Sequence, residues 1–481
     1  MAIWPREKTV PETESGPMLD LVLFAFVMAF LALGIARPFL WVLAYIYIDI
    51  LAPQKIGWTL TPALPISLIA FCAAFAGWLL TDPKAETRFH YRQGLMLFLL
   101  LYCLATTQTA DFPVFAAEKW SWVWKALVFA IFLPFTLTTR TRIEAVILTI
   151  VLTVGAIVIS AGLKTVLGGG GYESLYFFVN DNSNIYESST LATVAIGMTP
   201  LIAWLMKYGR VFPPDWRVKL FGVCLIFACL LIPVGTEART GLLCIAVLGL
   251  LLLRTVRNRI AYIVGAAALG LVALPFLPAS YWERMSTITQ HGGDQSASTR
   301  VAVWEWTLDY VGEHPFGGGF DAYRGNSFKY VMPQRVDEGS SVSIEYVEVE
   351  DKGRAYHSSY FELLGEQGWP GFLVWMALQV TGLWQMERLR RRYRTRDGPD
   401  ERWIGPLAVG LQNAHVVYLV GAAFQGIGYQ PVVFLFLGLQ IALWTYCAKR
   451  ESLAATGTGR RRTKGASRTA ASGSVRGTAM P

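Results

Sequence analysis

Charge is scarce in this chain. Asp, Glu, Lys and Arg make up 16% of its 481 residues, while 54% are hydrophobic. A soluble globular protein carries roughly 25% charged residues, so the composition excludes an ordinary water-soluble domain and points to a polytopic membrane protein. Histidine is rarer still, with five in all. His291, His314 and His357 stand far apart and no H-x-x-x-H pair occurs, which argues against a zinc site, where three or four ligands usually gather at short spacing. The six cysteines, Cys72, Cys103, Cys224, Cys229, Cys244 and Cys447, all lie in apolar runs. They form neither a disulfide framework nor a C-x-x-C pair and read as small apolar residues. No G-K-[ST] follows the glycines at 168–171, so that run is a flexible link and not a phosphate-binding Walker loop. An internal repeat of 20–50 residues is also missing. A cleavable signal peptide is not expected, because Glu12, Glu14 and Asp20 precede the first apolar run and no A-x-A site follows it.

What is abundant is apolar sequence in lengths near the 17–25 residues that cross a bilayer. Candidate segments fall near 19–36, 38–52, 62–80, 93–107, 120–137, 143–163, 188–206, 218–234, 240–253, 259–278, 370–386, 404–424 and 429–447. The expected fold is an all-α polytopic membrane protein with 12–13 transmembrane helices and one long, partly helical external loop. Five regions follow: an N-terminal segment 1–18, a membrane part 19–278, a long loop 279–369, C-terminal spans 370–447 and a basic tail 448–481. The tail's low complexity predicts disorder. If the long loop faces outward, the inward side collects 28 basic residues and the short outward loops four, Lys55, Lys119, Lys164 and Arg239. That asymmetry obeys the positive-inside rule. It also accounts for the net charge of +8, much of it in Arg388–Arg402 and after Lys449, without a nucleic-acid partner.

Within the long loop, "STRVAVWEWTLDYVGEHPFGGGF" predicts an amphipathic helix. Val301, Trp304, Leu308 and Val311 recur at helical spacing, and His314-Pro315 with Gly317–Gly319 ends it. Residues 333–354 are polar and acidic, with an alternation that fits a hairpin strand or a flap. Then comes "GRAYHSSYFELLGEQGWPGF". Ser359 and Glu362 fit a capping box at a helix start, which puts His357 just before the cap. There the positive end of the helix dipole disfavours an added proton, and a neutral imidazole can act as a general base. The plainer alternative is a surface histidine bonded to a backbone carbonyl. Arg239, in the short link "GTEARTG", and Arg300, at the start of the loop helix, are two outward arginines able to clamp a pyrophosphate bidentately. Their plainer roles are an ion pair with Glu237 and a solvated helix residue. Asp181, Asn182 and Asn184 stand at the entrance to the segment at 188–206. They either bond sugar hydroxyls or cap the following helix.

Four stretches, "NDNSNIYESSTLATVAIGMTP", "EARTGLL", "ERMSTITQHGGDQSASTRVAVWEWTLDYVGEHPFGGGF" and "YHSSYFELLGEQGWPGF", resemble in their order the O-antigen ligase superfamily, which includes polysaccharide polymerases. The third and fourth, with the opening "ARPFLWVLAYIYIDILAPQKIGW", are most similar to the O-glycosylation ligases associated with exosortase systems. The resemblance spans roughly residues 20–445. It implies a glycosyltransferase of the bacterial inner membrane, acting at the periplasmic face. The implied donor is a glycan on undecaprenyl pyrophosphate, and the acceptor a hydroxyl of a glycan, lipid or protein. By motif, His357 becomes the base and Arg239 and Arg300 the pyrophosphate binders, with Asp181 and Asn184 on the substrate side and no metal or other cofactor. Ligation and polymerisation share this donor chemistry. The rival class is a lipid-linked glycan flippase or polysaccharide transporter, which would show internal pseudo-symmetry and interrupted helices in matching positions.

Overall fold

Along most of the apolar runs there is no polar stripe. In hydrocarbon every backbone N–H and C=O must be bonded within the chain, so such runs fold as helices. The computed structural model describes residues 15–57, 59–84, 87–168, 184–256, 258–273, 295–338, 341–396 and 398–472. In chain order the helices are α1 (Ser15–Ala36), α2 (Phe39–Leu51), α3 (Pro53–Ile56), α4 (Leu60–Ala63), α5 (Ile66–Thr81), α6 (Tyr91–Gln108), α7 (Pro113–Thr136) and α8 (Arg140–Gly168). They continue with α9 (Ser188–Tyr208), α10 (Trp216–Gly235), α11 (Arg239–Leu252), α12 (Arg259–Ala273), α13 (Gln295–Glu313), α14 (Ser359–Arg392), α15 (Ile404–Ala422) and α16 (Pro431–Ser472).

Each apolar segment read from the sequence coincides with one of these helices. Among the described residues six stretches are long and apolar enough to cross a membrane, namely Phe39–Ile56, Arg140–Leu163, Ser188–Tyr208, Trp216–Gly235, Ile404–Ala422 and Pro431–Leu453. The stretches at Asp20–Ala36, Ile66–Thr81 and Arg239–Leu252 are apolar but shorter. Large apolar side chains such as Ile35, Leu80 and Ile260 are exposed on helix surfaces, as they are where lipid replaces water. The protein is an all-α polytopic membrane protein. Its one sheet among the described residues is an antiparallel hairpin of β1 (Ser327–Glu338) and β2 (Ser341–Lys352), in register from Ser327 opposite Lys352 to Glu338 opposite Ser341.

The bundle centre is built by α9 on α10, α11 and α15, by α14 on α6 and α15, and by α16 on α7. Polar side chains knit it. The guanidinium of the fully buried Arg92 donates to Gln385 Oε1 and Gln440 Oε1, both at 3.1 Å, and to the Leu378 carbonyl at 3.3 Å. His415 joins the same network through Gln379 at 2.7 Å and Gln440 at 3.0 Å.

Three local expectations change. The loop helix α13 forms and ends at Glu313, but its inward face is Val303, Thr307 and Val311, while Val301 and Leu308 are about half exposed. Trp304 sets that phase by stacking on Phe361 with ring centroids 4.9 Å apart and donating to the Tyr356 carbonyl. The capping box at Ser359 is not made. Ser358 is the N-cap and makes no side-chain cap bond, because Ser359 and Glu362 are turned to other partners described below. Past residue 448, where composition suggests a disordered tail, the helix α16 continues to Ser472.

Candidate active site

α14 is two helices in one. Gly368 (φ 58°, ψ −167°) breaks it, leaving a short helix of 359–367 ahead of the long one. The break is a close backbone crossing. A β-carbon on Gly368 would sit 2.2 Å from the Pro315 carbonyl oxygen, and Gly317, at φ 84°, packs from the other side. Only glycine combines that conformation with that proximity. Three hydrogen bonds hold the crossing: Trp369 N–H to the Pro315 carbonyl, Gly318 N–H to that of Gly365, and Gly319 N–H to that of Glu366. The loop after α13 thus grips the short helix whose N-cap, Ser358, directly follows His357.

A second grip is ionic. Lys119 of α7 sends its ammonium between three carboxylates, 2.7 Å from Glu362, 2.8 Å from Glu366 and 3.8 Å from Asp321. It also lies over the Tyr429 ring, 4.9 Å from its centre. Glu366 is fully buried and also accepts from the Asp321 N–H at 2.9 Å. Glu362 accepts from the Gly428 N–H at 3.1 Å. Ser359 donates to the Gln425 carbonyl and accepts from the Ile427 N–H, at 2.8 and 2.9 Å. Four segments therefore meet at one short helix: α7, the loop at 317–321, the short helix itself and the turn 425–428 between α15 and α16.

These segments enclose a cavity of about 580 Å³. His357, Asn184, Glu187, Asp321, Arg324 and Glu362 contribute polar groups to its wall. His357 is held in the left-handed region at φ 49°, an uncommon state for a non-glycine residue that is often met at functional sites. Its imidazole is pushed to lower proton affinity by burial first, then by the positive charges of Arg300 and Arg354.

Asn184, also left-handed at φ 58°, lines the cavity and accepts a bond from Gln430 at 3.1 Å. It stands four residues ahead of α9 and is not its cap. That position is Glu187, which makes no side-chain cap bond. Arg300, on α13, is not in the cavity wall, yet its charge reaches both His357 and Glu187. Arg239 is the first residue of α11, after a left-handed Glu237 (φ 52°). It too lies outside the wall, though Gly241 beside it packs on Ala192, two residues from the wall residue Thr190. Asp181, Asn182 and His291 lie outside the described residues. The structure adds Arg324, which lines the cavity, stacks on Phe115 at 3.5 Å from the ring centre and is held by Asp321 at 3.3 Å. Sequence spacing offers no signal for it, because its partners come from α7 and from the fold of its own loop.

Comparison with known proteins supplies two matches. Residues 18–210 match a family of unknown function, and residues 223–376 match the family described as O-Antigen ligase. No curated protein matches the chain. The O-antigen ligase segment contains Arg239, Arg300, Arg324, His357 and Glu362, and the other segment contains Lys119 and Asn184. Set beside the bundle of apolar helices and the loop that carries His357, the match over residues 223–376 makes this part of the chain similar to the O-antigen ligases and supports a membrane glycan ligase or polymerase in general.

Proposed function

We propose that the protein is a metal-independent glycosyltransferase. It moves a glycan from undecaprenyl pyrophosphate to a hydroxyl acceptor at the periplasmic face of the bacterial inner membrane. The observation that carries this reading is His357. It is a solvent-accessible imidazole of lowered proton affinity, held at φ 49° in the wall of a polar cavity where helices of the membrane bundle end.

In this scheme the acceptor hydroxyl loses its proton to a His357 ring nitrogen as its oxygen bonds to the anomeric carbon. The bond from that carbon to the pyrophosphate oxygen breaks, and its electron pair leaves with the lipid pyrophosphate. Arginine charge stabilises that leaving group without proton exchange, the kind of preorganised electrostatic help that dominates many active sites. Arg300, whose charge acts on His357, and Arg239, at the head of α11, are the arginines of this scheme. Asn184, with Asp181 just before it in the chain, serves the sugar hydroxyls. Attack at the anomeric carbon with inversion follows the family resemblance. A lipid-borne donor also explains why the cavity lies at the end of spanning helices.

The test is transfer in reconstituted membranes from an undecaprenyl-pyrophosphate glycan to a hydroxyl acceptor. His357→Gly accommodates the left-handed backbone, so it should insert and fold yet lose transfer. Wild-type transfer by that variant would remove His357 from the chemistry. Loss of activity in chelator, restored by a divalent ion, would overturn metal independence.

A further inference from the structure

A second cavity, of about 1130 Å³, lies at the other end of the bundle. α9, α14 and α15 each run from one cavity to the other. Thr190, His357 and Gln425 are at the first, and Lys207, Arg390 and Gly405 at the second. At about 1.5 Å per residue, the run of α9 from Thr190 to Lys207 spans roughly 25 Å, most of the hydrocarbon thickness of a bilayer.

Basic side chains from four separate stretches line this second cavity. Lys207 ends α9, Arg254 and Arg259 flank the α11–α12 link, Arg390, Arg394 and Arg396 follow from α14, and Arg402 precedes α15. No carboxylate lines it among the described residues. Glu387, outside the wall, takes Arg254 and Arg390, and Glu401 takes Arg396. Lys207, Arg259, Arg394 and Arg402 have no carboxylate partner among the described residues. The positive-inside rule accounts for basic residues on one membrane face, but not for their convergence on one hollow. The rest of the wall is mostly apolar, with Pro200, Ala203, Leu252 and Val409 on the helices, Trp204, Tyr208 and Tyr393 adding aromatic surface, and Thr255 and Asn413 as its uncharged polar members. Cations at the mouth, aromatics, then apolar helix surface is the order in which a phospholipid presents phosphate, glycerol and acyl chain.

We infer that this cavity is a binding site for an anionic phospholipid, its phosphodiester held by Lys207, Arg394 and Arg402 and its acyl chains lying along α9, α11 and α15. A free phosphate compound shares the headgroup chemistry but leaves the apolar wall without a role. This site is independent of the chemistry at His357.

The experiment is native mass spectrometry of the full-length protein released from membranes of mixed phosphatidylglycerol and phosphatidylcholine. It compares wild type with the triple variant Lys207→Gln/Arg394→Gln/Arg402→Gln. A control triple, Arg210→Gln/Lys219→Gln/Arg388→Gln, removes equal charge from side chains that do not line the cavity. About 1 kcal/mol per basic residue near anionic lipid is about fivefold each, so the cavity triple should lose phosphatidylglycerol retention by about 100-fold. The control should keep it. Equal loss in both triples would reduce the effect to diffuse surface charge and overturn the site. Displacement of the bound lipid by millimolar inorganic phosphate would assign the cavity to a soluble phosphate compound and overturn the lipid assignment. All six substituted side chains are exposed, so folding does not confound the comparison.

Discussion

Replacing Lys119 with Met should be among the most damaging single changes near the site, and the geometry says why. The ammonium is shared by Glu362, Glu366 and Asp321 at 2.7, 2.8 and 3.8 Å, and the Glu366 side chain is wholly excluded from solvent. Methionine fills similar volume but removes the cation shared by the three carboxyl groups. Removing one partner of a buried ion pair costs about 3–5 kcal/mol, because the remaining charge is left uncompensated. The loss should be readable as equilibrium unfolding in mixed detergent–SDS micelles. The sharper test is a double-mutant cycle with Glu366→Gln. Glutamine can still accept the Asp321 N–H, and it removes one of the stranded charges. Lys119→Met/Glu366→Gln should therefore be more stable than the two single losses summed, by about 1–3 kcal/mol, within the range for residues in direct contact. A Lys119→Met protein within 0.5 kcal/mol of wild type, or a strictly additive cycle, would refute the idea that this cluster holds the short helix in place.

Other expectations follow from the same geometry. Transfer activity needs neutral His357, whose proton affinity is lowered from its ordinary 6.5, so the acid limb of kcat/KM should fall below pH 6.5. Arg354→Gln removes one of the charges lowering it, and the limb should move up toward 6.5; an unmoved limb would mean another group is being titrated. Burial pushes the Glu366 carboxyl up from its ordinary 4.5. Its stability contribution is then complete below pH 4.5 and is lost as pH rises through the raised value, by at most about 1.4 kcal/mol per pH unit. Melting measured from pH 5 to 8 should show this decline in wild type and a flatter profile in Glu366→Gln. Gly368→Ala combines positive φ with a 2.2 Å clash against the Pro315 carbonyl and should cost several kcal/mol, on the order of other strained or overpacked sites, which thermal stability would register. Arg92→Met leaves the Oε1 acceptors of Gln385 and Gln440 each without the guanidinium donor and should cost about 2–6 kcal/mol at roughly 1–3 kcal/mol per orphaned group.

The helices were largely legible because hydrophobic length is a local property. Every apolar run became a helix, even where, as at Arg239–Leu252, it is too short to span alone. Chain order also put His357, Arg239 and Arg300 into one family pattern. The phase of α13 was legible only in part: Trp304 and Val311 pack as their spacing suggests, but Val301 and Leu308 are about half exposed and Val303 and Thr307 face inward instead. The role of Glu362 was not legible. Its spacing from Ser359 fits a cap, but Lys119, 243 residues earlier in the chain, takes its carboxylate instead. Arg324 was invisible for the same reason, and the inner basic cavity looked like four unrelated loops until the bundle closed around it.

The hairpin's foot is drawn tight. The Asn326 side chain donates to the Arg354 carbonyl and accepts from the Arg354 N–H, at 2.7 and 2.9 Å, and the Gly353 N–H bonds the Asn326 carbonyl. The chain therefore leaves and re-enters the protein at one point, three residues before His357. Everything between hangs from that fastening. Doubling its length costs only about 0.6 kcal/mol of closure entropy, and the fastening at its root keeps such a change from reaching the histidine.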